Sequence, residues 1–186
     1  MTMRLDHIAY RVVNRHNAAK SLRAMFGYEI GVEFDIVFDD GSKAECIAMV
    51  PPEKDNKIHS VVDIPWVVRS AGVSIPVEHH LAPEIFISDG TPGSIVGEWV
   101  ASHDGGGVHH MAYMVEDIDE VVSEWRQLDV AFLSEDIIDC PEDDLRQIFT
   151  KPLPELGNII IELIERGSKG FCQKSVKDLM KSTKGH

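Results

Sequence analysis

A histidine recurs in the same short context at two places in the chain. Laying LDHIAYRVV (residues 5–13) over VHHMAYMVE (residues 108–116) pairs His7 with His110, Ala9 with Ala112, Tyr10 with Tyr113 and Val12 with Val115. The offset is constant, 110 − 7 = 113 − 10 = 103. Both segments have the β-branched and aromatic content of strands. Side chains alternate along a strand, so matched positions of two sheets related by a pseudo-twofold project into one pocket. Two carboxylates occupy matching places nearby: Glu84 in PEIFISD and Glu162 in NIIIELIE, each on the last strand of its copy. A carboxylate within Ile-Ile-Ile-Glu-Leu-Ile is costly to bury unless it is paired or coordinates a cation. Two neutral imidazoles and two carboxylates balance one divalent ion, and the donor set suits Fe, Co, Ni, Zn or Mn. Taken singly, each residue has a plainer reading: a strand histidine packs, and a Glu near a strand end faces solvent. Repetition argues for the histidines and an apolar setting for Glu162, whereas Glu84 rests on position alone.

The elements that would position these residues also repeat. Ala18, Leu22, Met25 and Phe26 form an apolar stripe that Gly27 can terminate, which predicts a helix over about 15–26. Ile118, Val121, Val122, Trp125 and Leu128 repeat the stripe, and Asp117 with Glu120 makes a capping box, so the second helix begins near 117. YEIGVEFDIVF and KAECIAMV flank Asp39-Asp40-Gly41 as a hairpin, and AFLSEDII, LRQIFTKP and NIIIELIE complete the second copy, with a turn at Gly157-Asn158. Strand, helix and three strands thus occur twice. The expected fold is α+β, two βαβββ modules (1–107 and 108–186) whose four-stranded sheets associate around a shared concave site. An insertion at about 51–82 lengthens the first module and contains Pro51, Pro52, Pro65 and Pro76; it is a lid, an oligomer contact or an added hairpin.

The other polar candidates divide by position. His109 should point away from His110, on the opposite face. Glu78, His79 and His80 read as a surface cluster, His16 and His103 as exposed, and His186 as part of a disordered polar tail. Gln147, Phe149 and Lys151 alternate on one strand and line the pocket or simply pack. Phe171 opens a C-terminal helix with Val176, Leu179 and Met180 on one face, which gates the site or caps the core.

Bulk composition narrows the partners. The chain has 186 residues, 18 Lys and Arg against 31 Asp and Glu, and a formal charge of −13. That balance repels phosphate backbones and anionic lipid, so a small-molecule substrate is expected and neither nucleic acid nor membrane is. The start lacks a secretory signal and no stretch is apolar over a membrane span, which points to a soluble cytoplasmic protein. Cys46, Cys140 and Cys172 are far apart and read as free thiols.

At these residues the sequence resembles the vicinal oxygen chelate superfamily over most of its length apart from the insertion. GEWVASHDGGGVHHMAYMVEDID is similar to methylmalonyl-CoA epimerases. LRQIFTKPL, IIIELIER and GFCQKSVKDLM are similar to the C-terminal half of 4-hydroxyphenylpyruvate dioxygenases, including the helix that covers their iron. The resemblance implies that His7, Glu84, His110 and Glu162 are all ligands of one divalent metal, and it implies homodimers, although two internal modules can complete one site within a monomer. The dioxygenase branch has an apolar residue where Glu84 stands. Four protein ligands leave two sites to chelate an enediolate, which favours proton transfer of the epimerase, isomerase or glyoxalase type, with Glu84 or Glu162 as base. Two histidines and one carboxylate leave three sites, enough for a 2-oxo acid plus dioxygen. A non-catalytic small-molecule binding protein is the third reading.

Overall fold

The computed structural model describes residues 3–52, 82–141, 143–167 and 173–184. The segment 53–81 lies outside these residues, with Glu78, His79 and His80, and so do Phe171, Cys172 and His186.

The chain runs β1 (Arg4–Val12), α1 (Arg15–Phe26), β2 (Glu29–Val37), β3 (Lys43–Val50), β4 (Glu84–Gly90), α2 (Ile95–Ser102), β5 (Gly106–Met114), α3 (Ile118–Gln127), β6 (Ile138–Cys140), β7 (Leu145–Phe149), β8 (Ile160–Arg166) and α4 (Gln173–Ser182). Local chemistry sets the helix ends. The Asn14 side chain accepts from the Asn17 N–H, and Gly27 closes α1 in the left-handed region at φ 74, donating to the Arg23 carbonyl. The Asp117 side chain accepts from the Glu120 N–H at the head of α3. Both helices lie where their periodicity predicts them.

The strands form one sheet in the order β2-β3-β4-β1-β5-β8-β7-β6. It curls into a half-barrel. Within each half the outer strands are antiparallel, while β1 lies parallel to β4 and β5 parallel to β8. The two four-stranded halves meet edge to edge, β1 antiparallel to β5, so backbone hydrogen bonds make one continuous sheet. That α+β architecture is the expected one.

Two local features differ from the sequence reading. AFLSEDII does not form a full strand: Phe132 makes an isolated bridge to Thr150, and only Ile138–Cys140 pairs as β6. Between them the Ser134 hydroxyl donates to the Asp136 carbonyl, a local bond that competes with the ladder. Helix α2 is the second difference, capped by Ser94, whose side chain accepts from the Gly97 N–H.

Helices cover both faces. On the convex side α1 packs over Ile47, Met49, Ile85 and Ile87, and α3 packs over Ile148 and Leu163. On the concave side α2 and α4 close over β2–β4 through Val96, Val100, Val176 and Met180, and Leu179 reaches Phe149 and Ile160 in the second half. No helix among the described residues is long and apolar enough to cross a membrane. Cys46 is a free thiol, as expected.

Candidate metal centre

The seam between β1 and β5 is irregular at two points, and both irregularities build the site. Leu5 opposes Tyr113 and His7 opposes Ala112, so Asp6 is an extra residue on β1. Ala9 opposes His110 and Tyr10 opposes Val108, so His109 is an extra residue on β5. An added residue interrupts strict alternation and re-aims its side chain. Asp6 and His109 occupy equivalent places in the repeat, each one residue before its histidine.

This corrects the expected orientation of His109, which alternation assigned to the opposite face. The bulge turns it into the concave cavity instead, where its ring lies 5.1 Å from that of His110 and 5.3 Å from that of Trp99. The two extra side chains then do similar jobs. His7 Nδ1–H donates to Asp6 Oδ1 at 2.8 Å, and Asp6 is itself held by Arg166. His110 Nδ1 lies 2.8 Å from His109 Nδ1, close enough for one to donate to the other. Each histidine is thereby left with Nε2 facing inward.

Both Nε2 atoms converge on one carboxylate oxygen. Glu162 Oε2 lies 3.3 Å from His7 Nε2 and 3.2 Å from His110 Nε2, and the two rings stand edge to face with centroids 5.5 Å apart. His7, His110 and Glu162 each offer a donor atom within 4.8 Å of the others, the arrangement a cation needs. Glu162 is 1% exposed, and its Oε1 has no hydrogen-bond partner. A buried carboxylate oxygen left in that state is expensive. A divalent ion among the three donors would satisfy it, so the residues fit the group.

Electrostatics splits the two histidines. Burial alone would lower His7, but the Glu162 charge and the hydrogen bonds to Asp6 and Glu162 outweigh it and raise the imidazole to about 9. Burial would likewise raise Glu162, yet the His7 charge and the hydrogen bonds from both histidines hold it at about 2. His110 is lowered, chiefly by burial. One proton therefore resides on His7, Glu162 is ionised and His110 is neutral.

The remaining candidates lie at different distances from this cluster. Glu84 is the register partner of His7 on the parallel neighbour β4 and lines the same cavity, but it is exposed and stands outside the three-donor group. Phe149 packs edge-on against His110 with centroids 5.3 Å apart. Gln147 is fully buried two residues earlier, with both amide atoms lacking hydrogen-bond partners. Lys151 lies beyond the end of β7 and is exposed, and neither it nor Gln147 nor Phe149 is among the residues that line the cavity. His16 and His103 are exposed, as expected, and His103 stacks on Trp99 at 3.9 Å.

The sequence reading did not single out Asp6, Arg11 or Thr183. The last two line the cavity together with Ser88 and with Val176, Leu179 and Met180 on the α4 side. Asp6 left a trace, since the position before each repeated histidine carries a side chain able to hold an imidazole. Arg11 and Thr183 left none, because their pairing spans 172 residues.

A family model described as Glyoxalase/Bleomycin resistance protein/Dioxygenase superfamily matches residues 6–149. No curated protein sequence matches the chain. Among solved structures, a methylmalonyl-CoA epimerase shares 23% identity over 88% of this chain and 95% of its own, with a TM-score of 0.59. The epimerase from Mycobacterium tuberculosis shares 19% over 88% of each chain, with a TM-score of 0.56. A mutant 4-hydroxymandelate synthase from Streptomyces coelicolor shares 21% over 98% of this chain, with a TM-score of 0.69, and this chain spans 53% of that synthase. At these identities the likeness is one of fold.

Proposed function

The chain belongs to the glyoxalase/bleomycin resistance protein/dioxygenase superfamily, and from that premise we propose that it is a divalent-metal-dependent enzyme moving a proton on a small oxo acid or acyl thioester. His7, His110 and Glu162 would hold the ion, which is one of Fe, Co, Ni, Zn or Mn. Bound there, it would act as a Lewis acid that stabilises the negative charge developing on a substrate carbonyl oxygen.

The observation that carries this reading is the place of Glu84. It lies across one strand spacing from His7, on the same cavity wall, yet outside the donor group. A carboxylate beside a chelating centre is suited to remove the proton from the carbon next to the carbonyl and to return it. Asp6 fixes the ring of His7 and His109 that of His110, while Phe149 packs against His110 and against Leu179 of α4. All three candidate ligands come from one chain, so the site needs no second copy. The 1–107 and 108–186 modules would each supply part of it: His7 and Glu84 from the first, His110 and Glu162 from the second.

One observation favours a second reading, oxidation of a 2-oxo acid by dioxygen with iron at the same residues. Two histidines and one carboxylate are the donor set of non-haem iron oxygenases, and without Glu84 they leave three positions open.

Solvent deuterium incorporation tests the choice. The protein is reconstituted anaerobically with Fe, Co or Zn, and metal content and a panel of oxo acids and acyl thioesters are followed. Exchange without oxygen uptake, lost in Glu84→Gln with metal retained, supports proton transfer. Oxygen uptake with release of carbon dioxide, retained in Glu84→Gln, moves the assignment to the oxygenase. Stoichiometric ligand binding without either reaction would leave a binding protein.

A further inference from the structure

The cavity holds a buried cation that the chemistry above does not use. Arg11 follows His7 by four residues on β1 and faces the same side, so their Cα atoms lie about 13 Å apart at the rise of a strand. It is 4% exposed and lines the cavity. Its Nη2 donates to Thr183 Oγ1 at 3.0 Å, and its guanidinium carbon lies 5.6 Å from the centre of the Trp99 ring. Both partners are neutral.

The contrast with other arginines is direct. Arg15 pairs with Glu45 and Asp89, Arg146 with Asp119, and Arg166 with Asp6. Among the described residues no carboxylate reaches Arg11, and burial lowers its guanidinium to about 9. Burying a cation without a counter-charge is costly unless the missing charge is brought in. A guanidinium facing a cavity presents parallel N–H donors that match a carboxylate, and the site is desolvated enough for the pairing to count.

We propose that Arg11 docks a carboxylate at the end of the substrate remote from His7, His110 and Glu162, which makes the substrate an oxo acid or acyl compound bearing a second carboxylate. The incoming carboxylate takes the place of Thr183 Oγ1 as acceptor, and the hydroxyl of Ser88, register partner of Arg11 on β4, lies on the same wall. The proposal rests on the functional reading only for what happens at the other end of the substrate.

Calorimetry with matched probes tests it: 2-oxoglutarate against 2-oxopentanoate, and 2-oxoadipate against 2-oxohexanoate. Each pair differs only in whether the far end is a carboxylate or a methyl group. Metal-free and zinc-loaded proteins are both titrated, with zinc content measured separately. In at least one pair the diacid should bind at least about tenfold tighter than the monoacid, the preference should fall to about one in Arg11→Met, and Arg11→Lys should keep part of it. Thr183→Ala, which removes only the link to α4, should retain the preference. No preference in the wild-type protein, or a preference that survives in a folded Arg11→Met, overturns the proposal. If Arg11→Met does not fold, loss of the preference in Arg11→Gln with thermal stability retained decides the matter. Failure to take up zinc would sink the metal reading while leaving the metal-free comparison to judge Arg11.

Discussion

Metal binding should release one proton, and the pH dependence of affinity should show it. His7 is raised to about 9 in the metal-free protein, and its Nε2 must be bare to coordinate. Glu162 is already ionised at neutral pH and His110 is already neutral, so neither adds to the count. Below pH 9 each unit of acidification should weaken binding about tenfold, and between pH 9 and pH 7 the loss is about 100-fold, or about 3 kcal/mol. Above about pH 9 the affinity should level off. Cobalt is a convenient probe: its visible absorption reports coordination, and calorimetry in buffers of differing ionisation enthalpy counts protons directly. Asp6→Asn, which makes the acceptor of His7 Nδ1–H neutral and so removes a charge that raises His7, should move the levelling point to lower pH. A flat profile between pH 7 and 9, or release of two protons, would refute the assignment of a single shared proton to His7.

The same pair makes the metal-free protein sensitive to alkali. Because His7 is raised from 6.5 to about 9, its contribution of about 3 kcal/mol is complete below pH 6.5 and is lost as pH rises through 9, which denaturant titration at several pH values will read. Glu162 is depressed from 4.5 to about 2, so its side of the pairing is present above pH 4.5 and fails as pH falls towards 2. Asp6→Ala, which takes away the acceptor itself, should weaken the limiting zinc affinity about 10- to 100-fold by freeing the His7 ring, measured by competition with a chelator. Gly106→Ala should cost about 3 kcal/mol or more, because Gly106 has φ +104 and an added Cβ would stand 2.1 Å from the Arg11 carbonyl oxygen. A denaturation midpoint unchanged in that variant would contradict the packing at the seam.

Much of this arrangement was legible before any coordinates. The 103-residue repeat announced both histidines, and capping signals at Asp117 and Gly27 located two helices because those interactions are local. Glu162 was legible because charge in an apolar run needs a partner. The orientation of His109 was not, since a bulge depends on how β5 registers against β1, a relation between distant segments. Nor was Glu84's position outside the donor group, which turns on side-chain reach rather than strand order. The AFLSEDII segment misled because its apolar residues suit a strand, while Ser134 and its acidic neighbours form a turn.

The seam between β1 and β5 has one more consequence. His7 comes from the first half of the sheet, and His110 and Glu162 come from the second, so an ion held by all three is a further cross-link between halves that also meet through the β1–β5 ladder, the Asp6–Arg166 pair and α4. By linkage, whatever tightens that junction must tighten ion binding, and the reverse must hold to the same degree. A ligand spanning from His110 to Arg11 would clamp the seam a second time, and loading with metal would then make the protein a better receptor before any bond in the substrate had changed.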